Sequence, residues 1–127
     1  MGIFIKSEEQ IEKMRVAGKI LKDLIEVLKN EVRPGVTTLE LDKIAESFIR
    51  ERGAAPSFKG YGGFPASICA SVNDEVIHGI PSLRKLRNGD IISIDMGSYI
   101  GGFHGDCART FAVGEISEEN RKLIDVT

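Results

Sequence analysis

The chain has 127 residues, of which 42% are hydrophobic, so it is long enough to fold as one compact domain with a buried core. Seventeen basic and nineteen acidic residues give a formal net charge of -2 without any long run of like charges, which excludes nucleic acid as a principal partner. No apolar stretch has the length of a signal peptide or of a membrane span, so we expect a cytoplasmic protein with no membrane partner.

Two amphipathic helices are predicted in the first part of the chain. Ser7 and Gln10 have the spacing of a capping box, and apolar residues then recur at helical intervals as far as Asn30. The second helix begins at Thr37, which has a glutamate three residues later, and ends near Gly53. Both helices should bury one apolar stripe in the core.

The chain changes character after residue 54. The segment KGYGGFP is too irregular for a helix and unlike a phosphate-binding loop, so it indicates no nucleotide site. Short β-type runs follow at SICASV, EVIHGI, GDIISIDMG and GFHGDCARTFAVG. Helices followed by strands favour a single α+β domain over residues 1–127, with both helices on one face of a mainly antiparallel sheet. Another capped helix starts near Ser117, and we expect the domain to be truncated within it.

The last two strand segments predict a hairpin that carries two aspartates. A turn centred on residues 100 and 101 places Asp95 opposite Asp106, on a polar face, with Ile94 on the apolar face. Like charges so close destabilise a strand pair unless a shared proton, an arginine or a divalent cation neutralises them. A solvated pair of edge aspartates is the alternative. Arg109 falls on the apolar face, which requires either a bulge or a place at the rim of the sheet.

The sequence contains two histidines, and both flank this polar face. His78 precedes Gly79 at the end of a predicted strand, where side chains commonly meet ligands. His104 has the same strand parity as Asp106, which makes it a candidate ligand or a partner of a ligand. A purely structural role is the alternative for each.

Two long segments, FKGYGGFPASICASVNDEVIHGIP and GDIISIDMGSYIGGFHGDCARTFAVG, resemble type I methionine aminopeptidases in residue identity, order and separation. The resemblance covers essentially the whole chain but only the amino-terminal half of a typical family member. It implies half of a pita-bread fold, in which two pseudo-symmetric halves of helices and antiparallel strands enclose a dinuclear metal site.

The resemblance also implies roles for individual residues. Asp95 and Asp106 match two metal ligands, with Asp106 bridging both ions, and His78 matches the catalytic histidine beside the substrate amide. His104 matches no such role. The residues that match the pocket for the methionine side chain are Phe58, Tyr61, Phe64 and Cys69. Without the resemblance, all four are typical core residues, and Phe64 stands where tyrosine is also common.

The implied activity is metal-dependent removal of the N-terminal methionine from nascent polypeptides, with two divalent ions (Mn, Fe(II), Co or Zn) in a complete site. The family's remaining ligands, a histidine and two glutamates, belong to its carboxy-terminal half. We therefore expect a partial or empty metal site in this chain and no activity of the chain alone. Two alternatives are a homodimer, formed through the surface that the other half normally covers, and a non-catalytic pita-bread module that binds peptides.

Overall fold

The computed structural model describes residues 2–127. Its helices and strands are, in chain order, α1 (Glu8–Glu31), α2 (Thr38–Glu51), β1 (Ala55–Pro56), a 3₁₀ turn (Tyr61–Gly63), β2 (Ile68–Val72), β3 (Ile91–Ile100), β4 (Phe103–Ala112) and α3 (Glu118–Val126). No helix within residues 2–127 has both the length and the hydrophobicity needed to cross a bilayer.

The two predicted helix starts are confirmed. The Ser7 backbone N–H donates to the side-chain oxygen of Gln10 at 2.9 Å, while the Ser7 hydroxyl accepts the Gln10 N–H at 3.2 Å. Thr37 and Glu40 form the same reciprocal cap on α2, and the hydrogen bond from the Thr37 backbone lowers the pKa of Glu40. Local sequence therefore fixes where both helices begin.

All strand pairs in the sheet are antiparallel, which confirms the predicted α+β class. β3 is central, with β1 and β2 along one side and β4 along the other. The predicted strand EVIHGI is wrong, because residues 75–80 form a loop in which His78 has a φ of 58°. A left-handed backbone at that point is incompatible with an extended strand.

The core lies between the sheet and the two long helices, which pack on the same face of the sheet as predicted. The largest fully buried side chains are Leu21, Leu24, Leu28, Leu41, Ile49, Ile68, Val72, Leu86, Ile92, Ile94, Met96 and Val113. α1 approaches β4 closely at Gly105, where an added Cβ would come within 2.9 Å of the Ala17 carbonyl group. The absence of a side chain at Gly105 lets the helix lie directly on the strand.

The hairpin register differs from the prediction. Ile100 pairs with Phe103, so the turn residues are Gly101 and Gly102, with φ values of 60° and 84°. Two central residues with positive φ make the tight turn that suits a two-residue hairpin. Asp95 consequently lies opposite Ala108 rather than Asp106, and the predicted direct pairing is wrong.

The predicted division of faces survives this correction, because a shift of two residues leaves every side chain on the same side of the sheet. Asp106 lies opposite Gly97 and is the diagonal neighbour of Asp95 on the face away from α1 and α2. Arg109 pairs with Ile94 in an unbroken ladder and is exposed, so it lies at the rim and there is no bulge at this position.

A buried carboxylate joins α2 to β2. Asp42, which is only 6% exposed, accepts the backbone N–H of Ser67 at 2.8 Å and that of Ile68 at 3.0 Å. Hydrogen bonds to an ionised acceptor are stronger than neutral ones. The helix on one face of the sheet thereby holds the beginning of a strand that contributes to the opposite face.

Candidate functional site

A pocket of about 650 Å³ lies on the face of the sheet away from α1 and α2. Its lining residues are Phe58, Tyr61, Gly62, Gly63, Phe64, Pro65, Cys69, His78, Ile80, Asp95 and Asp106. Every residue to which the family resemblance assigns a role in the site is among them. The structure thus brings residues from a loop, from three strands and from the segment after β2 into one place.

The two aspartates form the acidic end of the pocket. Asp95 is partly buried and Asp106 is exposed. Burial, followed by the negative charge of Asp106, raises the pKa of Asp95 to about 6, while the charge of nearby His78 opposes the shift. Among residues 2–127, no lysine or arginine forms an ion pair with either aspartate. A proton or a bound cation would therefore relieve the repulsion between the two carboxylates.

His78 reaches the pocket because the chain after β2 turns back against that strand. The Gly79 carbonyl accepts the Ala70 N–H at 2.8 Å, and the Gly79 N–H donates to the Ser71 hydroxyl at 3.1 Å. A Cβ at Gly79 would overlap the Ala70 carbonyl oxygen, so the close approach requires glycine. Left-handed backbone at a residue other than glycine is uncommon and concentrates at functional sites, which fits the position of His78.

Aromatic side chains form a wall of the pocket. Phe58 and Phe64 are partly buried, whereas Tyr61 is 82% exposed. Backbone hydrogen bonds close this segment on itself: the Tyr61 N–H donates to the Phe58 carbonyl at 3.0 Å, and the Phe64 N–H donates to the Tyr61 carbonyl at 2.9 Å. The glycine-rich segment is therefore an ordered turn that presents its aromatic side chains to the pocket.

Cys69 lies opposite Asp95 in the sheet and is buried. Burial, followed by the negative charges of Asp95 and Asp106, raises the pKa of the Cys69 thiol to about 11. The thiol is consequently protonated at neutral pH, and it offers the pocket a polarizable, uncharged surface instead of a thiolate ligand.

Gly97 contributes to the site although the sequence analysis did not single it out. A Cβ at Gly97 would lie 2.9 Å from the Phe58 ring and 2.8 Å from the Ser57 Cβ, so the aromatic wall rests directly on the backbone of β3. An isolated glycine inside a predicted strand is a known sign of such a close approach, and this signal could have identified it.

His104 does not line the pocket. Its Nδ1 atom is 2.9 Å from the Ser57 hydroxyl, and its ring lies 4.5 Å from that of Tyr99, centroid to centroid. The structure therefore separates the two histidines, with His78 beside the carboxylates and His104 at the turn end of the hairpin.

The chemistry of the acidic pair fits a divalent cation. Carboxylate oxygens are hard ligands, and neither aspartate is occupied by an ion pair among the described residues. Within residues 2–127, however, no cluster of three or more His, Cys, Asp or Glu side chains has the arrangement of a metal site. The residues present therefore suit part of a metal centre.

The fold and the acidic pocket together define a class of metallopeptidase. Residues 12–127 match the sequence model of metallopeptidase family M24, and the chain belongs to this family. The Clostridium acetobutylicum methionine aminopeptidase is 60% identical over 126 residues, which are 98% of this chain and 50% of that protein. Methionine aminopeptidase 1 of Bacillus subtilis is 53% identical, with the same coverage. The chain thus spans about half the length of the curated relatives that it matches.

Solved structures agree with this assignment. The crystal structure of methionine aminopeptidase from Rickettsia prowazekii superposes with a TM-score of 0.97 at 40% identity, over 99% of this chain and 51% of that one. The Xaa-Pro dipeptidase from Bacillus anthracis gives a TM-score of 0.83 at 29% identity, over 96% of this chain and 33% of that one. The predicted resemblance to methionine aminopeptidases and the predicted half of a pita-bread fold are both confirmed.

Proposed function

We propose that this chain supplies the side-chain pocket, two metal ligands and one catalytic histidine of a methionine aminopeptidase, which removes the N-terminal methionine of nascent polypeptides. The observation that supports this most directly is the single pocket in which Phe58, Phe64 and Cys69 lie beside Asp95 and Asp106. An apolar, polarizable wall suits the thioether side chain of a methionine residue. The acidic end beside it suits the peptide bond that follows the same residue.

In this proposal, each part of the pocket has its own task. Phe58, Phe64 and the protonated thiol of Cys69 contact the methionine side chain, because aromatic and sulfur groups interact favourably with a thioether. His78, at the acidic end, donates a hydrogen bond to the scissile amide and steadies the charge that develops on it. The exposed Tyr61 covers the methionine side chain from the open side of the pocket.

Asp95 and Asp106 would hold divalent ions, and manganese, iron(II), cobalt and zinc are all compatible with their oxygen ligands. Aminopeptidases are themselves among the enzymes in which a pair of such ions activates water and polarises the carbonyl group. The remaining ligands would come from residues outside this chain, because the described residues include no group of three or more His, Cys, Asp or Glu side chains that could hold a metal ion. The chain alone should therefore bind metal weakly and release no methionine.

Titration calorimetry with Mn²⁺ tests the metal proposal. We expect weak binding to the chain and its loss in Asp106→Asn, whereas Asp125→Asn, an exposed change on α3, should leave it unaltered. Binding that survives Asp106→Asn would place the ion elsewhere, and no binding at all would contradict a partial site.

A peptide assay tests the proposed division of the active site. The chain, mixed with Met-Gly-Met-Met and Mn²⁺, should release no methionine above the buffer control. Turnover that disappears in Asp106→Asn would show that this chain is catalytically complete and would contradict the proposal.

We also propose self-association as a second function, through the surface that the other half of the relatives would cover. Within residues 2–127, β4 pairs with β3 alone, so ten residues of strand edge are open to another strand. Val76, which lines a surface depression together with Thr110 of β4, is 87% exposed. An open edge with an exposed apolar side chain nearby suits a second copy related by a twofold axis.

Sedimentation equilibrium between micromolar and millimolar chain concentrations distinguishes these states. If the chain self-associates, its average mass should rise toward twice 13.9 kDa as the concentration increases. Val76→Asp should dimerise more weakly, so its average mass should rise less at the same concentrations. Ile3→Asp, which places the same charge at another exposed apolar position, is the control. A constant mass of one chain over the whole range would exclude the dimer.

A further inference from the structure

The end of the hairpin and the aromatic segment are joined by one side-chain contact. We call residues 57–65 the wall loop, because they carry the aromatic side chains that line the pocket. Ser57 is the first residue of the wall loop, and its hydroxyl lies 2.9 Å from Nδ1 of His104 on β4. The two residues are 47 positions apart in sequence, so the contact ties two separate parts of the chain together.

His104 is itself held in place. It pairs with Tyr99 across the hairpin, and the two rings are 4.5 Å apart with an angle of 35° between their planes. Stacking on a neighbouring ring restricts the rotation of the imidazole and so keeps Nδ1 directed toward Ser57. An exposed histidine without such support would lose more conformational entropy on making the same hydrogen bond.

The position of Ser57 determines that of Phe58. The Ser57 N–H donates to the Gly97 carbonyl at 3.1 Å, and the Phe58 ring lies against the same glycine. Gly97 is in turn opposite Asp106 in the sheet. The contact from His104 therefore acts where the wall loop packs on Gly97 of β3. Gly97 is two residues from Asp95 in the same strand.

We propose that His104 is a positioning residue, which acts through Ser57 to fix the wall loop, and with it Phe58, at a set distance from Asp95 and Asp106. The proposal rests on the proposed function in one respect only, namely that the wall loop contacts a methionine side chain. A direct ligand role for His104 is not favoured, because its Nδ1 is engaged by Ser57 and the residue does not line the pocket.

Amide hydrogen exchange, followed residue by residue by NMR on the whole chain, tests the positioning role without any ligand. In His104→Ala, the amides of Ser57, Tyr61 and Phe64 should exchange about fivefold faster, as expected for the loss of one hydrogen bond. Amides in the middle of α2 should be unchanged. Ser57→Ala removes the other partner of the contact and should give the same result, so the test does not depend on the folding of one variant.

Two conservative replacements distinguish the effect of the hydrogen bond at Nδ1 from the effect of side-chain volume at position 104. The amide of asparagine can occupy the place of Nδ1, whereas that of glutamine occupies the place of Nε2. His104→Asn should therefore restore slow exchange in the wall loop, and His104→Gln should not. Equal exchange rates in the native chain, His104→Ala and Ser57→Ala would overturn the inference.

A binding measurement links the wall loop to the proposed substrate. With Mn²⁺ present, L-methionine should bind His104→Ala at least threefold more weakly than the native chain, while the affinity for Mn²⁺ alone stays the same. A loss of Mn²⁺ affinity instead would assign His104 to the metal site and overturn the positioning role. If L-methionine fails to bind even the native chain but the exchange results hold, the positioning role stands and the proposed substrate is wrong.

Discussion

The two faces of the β3–β4 hairpin differ in what their side chains do, although they share one backbone ladder. On the face toward the helices, Ile92, Ile94 and Met96 have no exposed surface. On the other face, Asp95 is partly buried and Asp106 is exposed, with a pocket above them. Alternation along a strand thus lets one segment contribute both to the core and to the site, and substitutions on the two faces should have different consequences.

The largest expected effect is on the core face. Ile94→Ala removes a fully buried side chain between the sheet and the helices, and it should lower the free energy of unfolding by about 3 kcal/mol. Urea unfolding measures the loss. Ala108→Ser, an exposed change on the opposite face, should alter stability by less than about 0.5 kcal/mol. Similar losses in the two variants would show that the faces are not distinct.

A second change tests how closely α1 lies on the hairpin. The Cβ added by Gly105→Ala would come within 2.9 Å of backbone atoms of Ala17, so the helix or the strand must shift. We expect a loss of about 2 kcal/mol, which is typical of overpacking in a core. Unchanged stability by thermal and urea unfolding would mean that α1 adapts without cost.

The third prediction concerns how Asp95 makes the free energy of unfolding depend on pH, measured in metal-free buffer with EDTA. Because burial, and then the charge of Asp106, raises the pKa of Asp95 to about 6, the folded chain binds more protons than the unfolded chain between about pH 4 and 6. The contribution of Asp95 to stability is therefore present below this range and is lost as the pH rises through it.

Asp95→Asn cannot lose a proton, so its stability should rise relative to the native chain as the pH increases from about 4 to 6. Urea unfolding at pH 4, 5, 6 and 7 measures the difference. Asp125→Asn should follow the native chain throughout, since that residue is exposed on α3. Parallel curves for Asp95→Asn and the native chain would contradict the raised pKa.

The smallest expected effect has the opposite sign. Gly18 is exposed in the middle of α1, and an added Cβ would meet nothing within 4 Å. Gly18→Ala should therefore stabilise the chain by about 0.5 to 1 kcal/mol, through the higher helix propensity of alanine. Thermal unfolding measures the gain, and a loss would indicate a contact with α1 that the fold does not show.

Much of the fold could be predicted because local and periodic signals agreed. The capping pairs at Ser7 and Thr37 and the helical spacing of apolar residues determined both long helices. The hairpin faces were also predictable, since alternation depends only on parity. The register was not, because turns at residues 100–101 and at 101–102 leave the same residues in the core. The preference of Gly101 and Gly102 for positive φ distinguishes the two registers.

The resemblance to a known family was enough to predict which residues form the site. The geometry of the site could be obtained only from the structure. An apolar run around Ile77 is typical of a strand, and only the packing of Gly79 on Ala70 shows why the chain forms a loop and directs His78 to the pocket. Likewise, parity placed His104 on the polar face but could not show that Ser57 occupies its Nδ1. Contacts between distant segments leave little trace in a single sequence.

The carboxylate of Asp42 couples the position of α2 to that of the sheet. It binds the amides of Ser67 and Ile68, which immediately precede Cys69 on the strand. A displacement of α2 should therefore shift the beginning of β2 and, with it, the Cys69 thiol that lines the pocket. Substitutions buried beneath α2 should for this reason change the shape of a pocket that lies on the opposite face of the sheet.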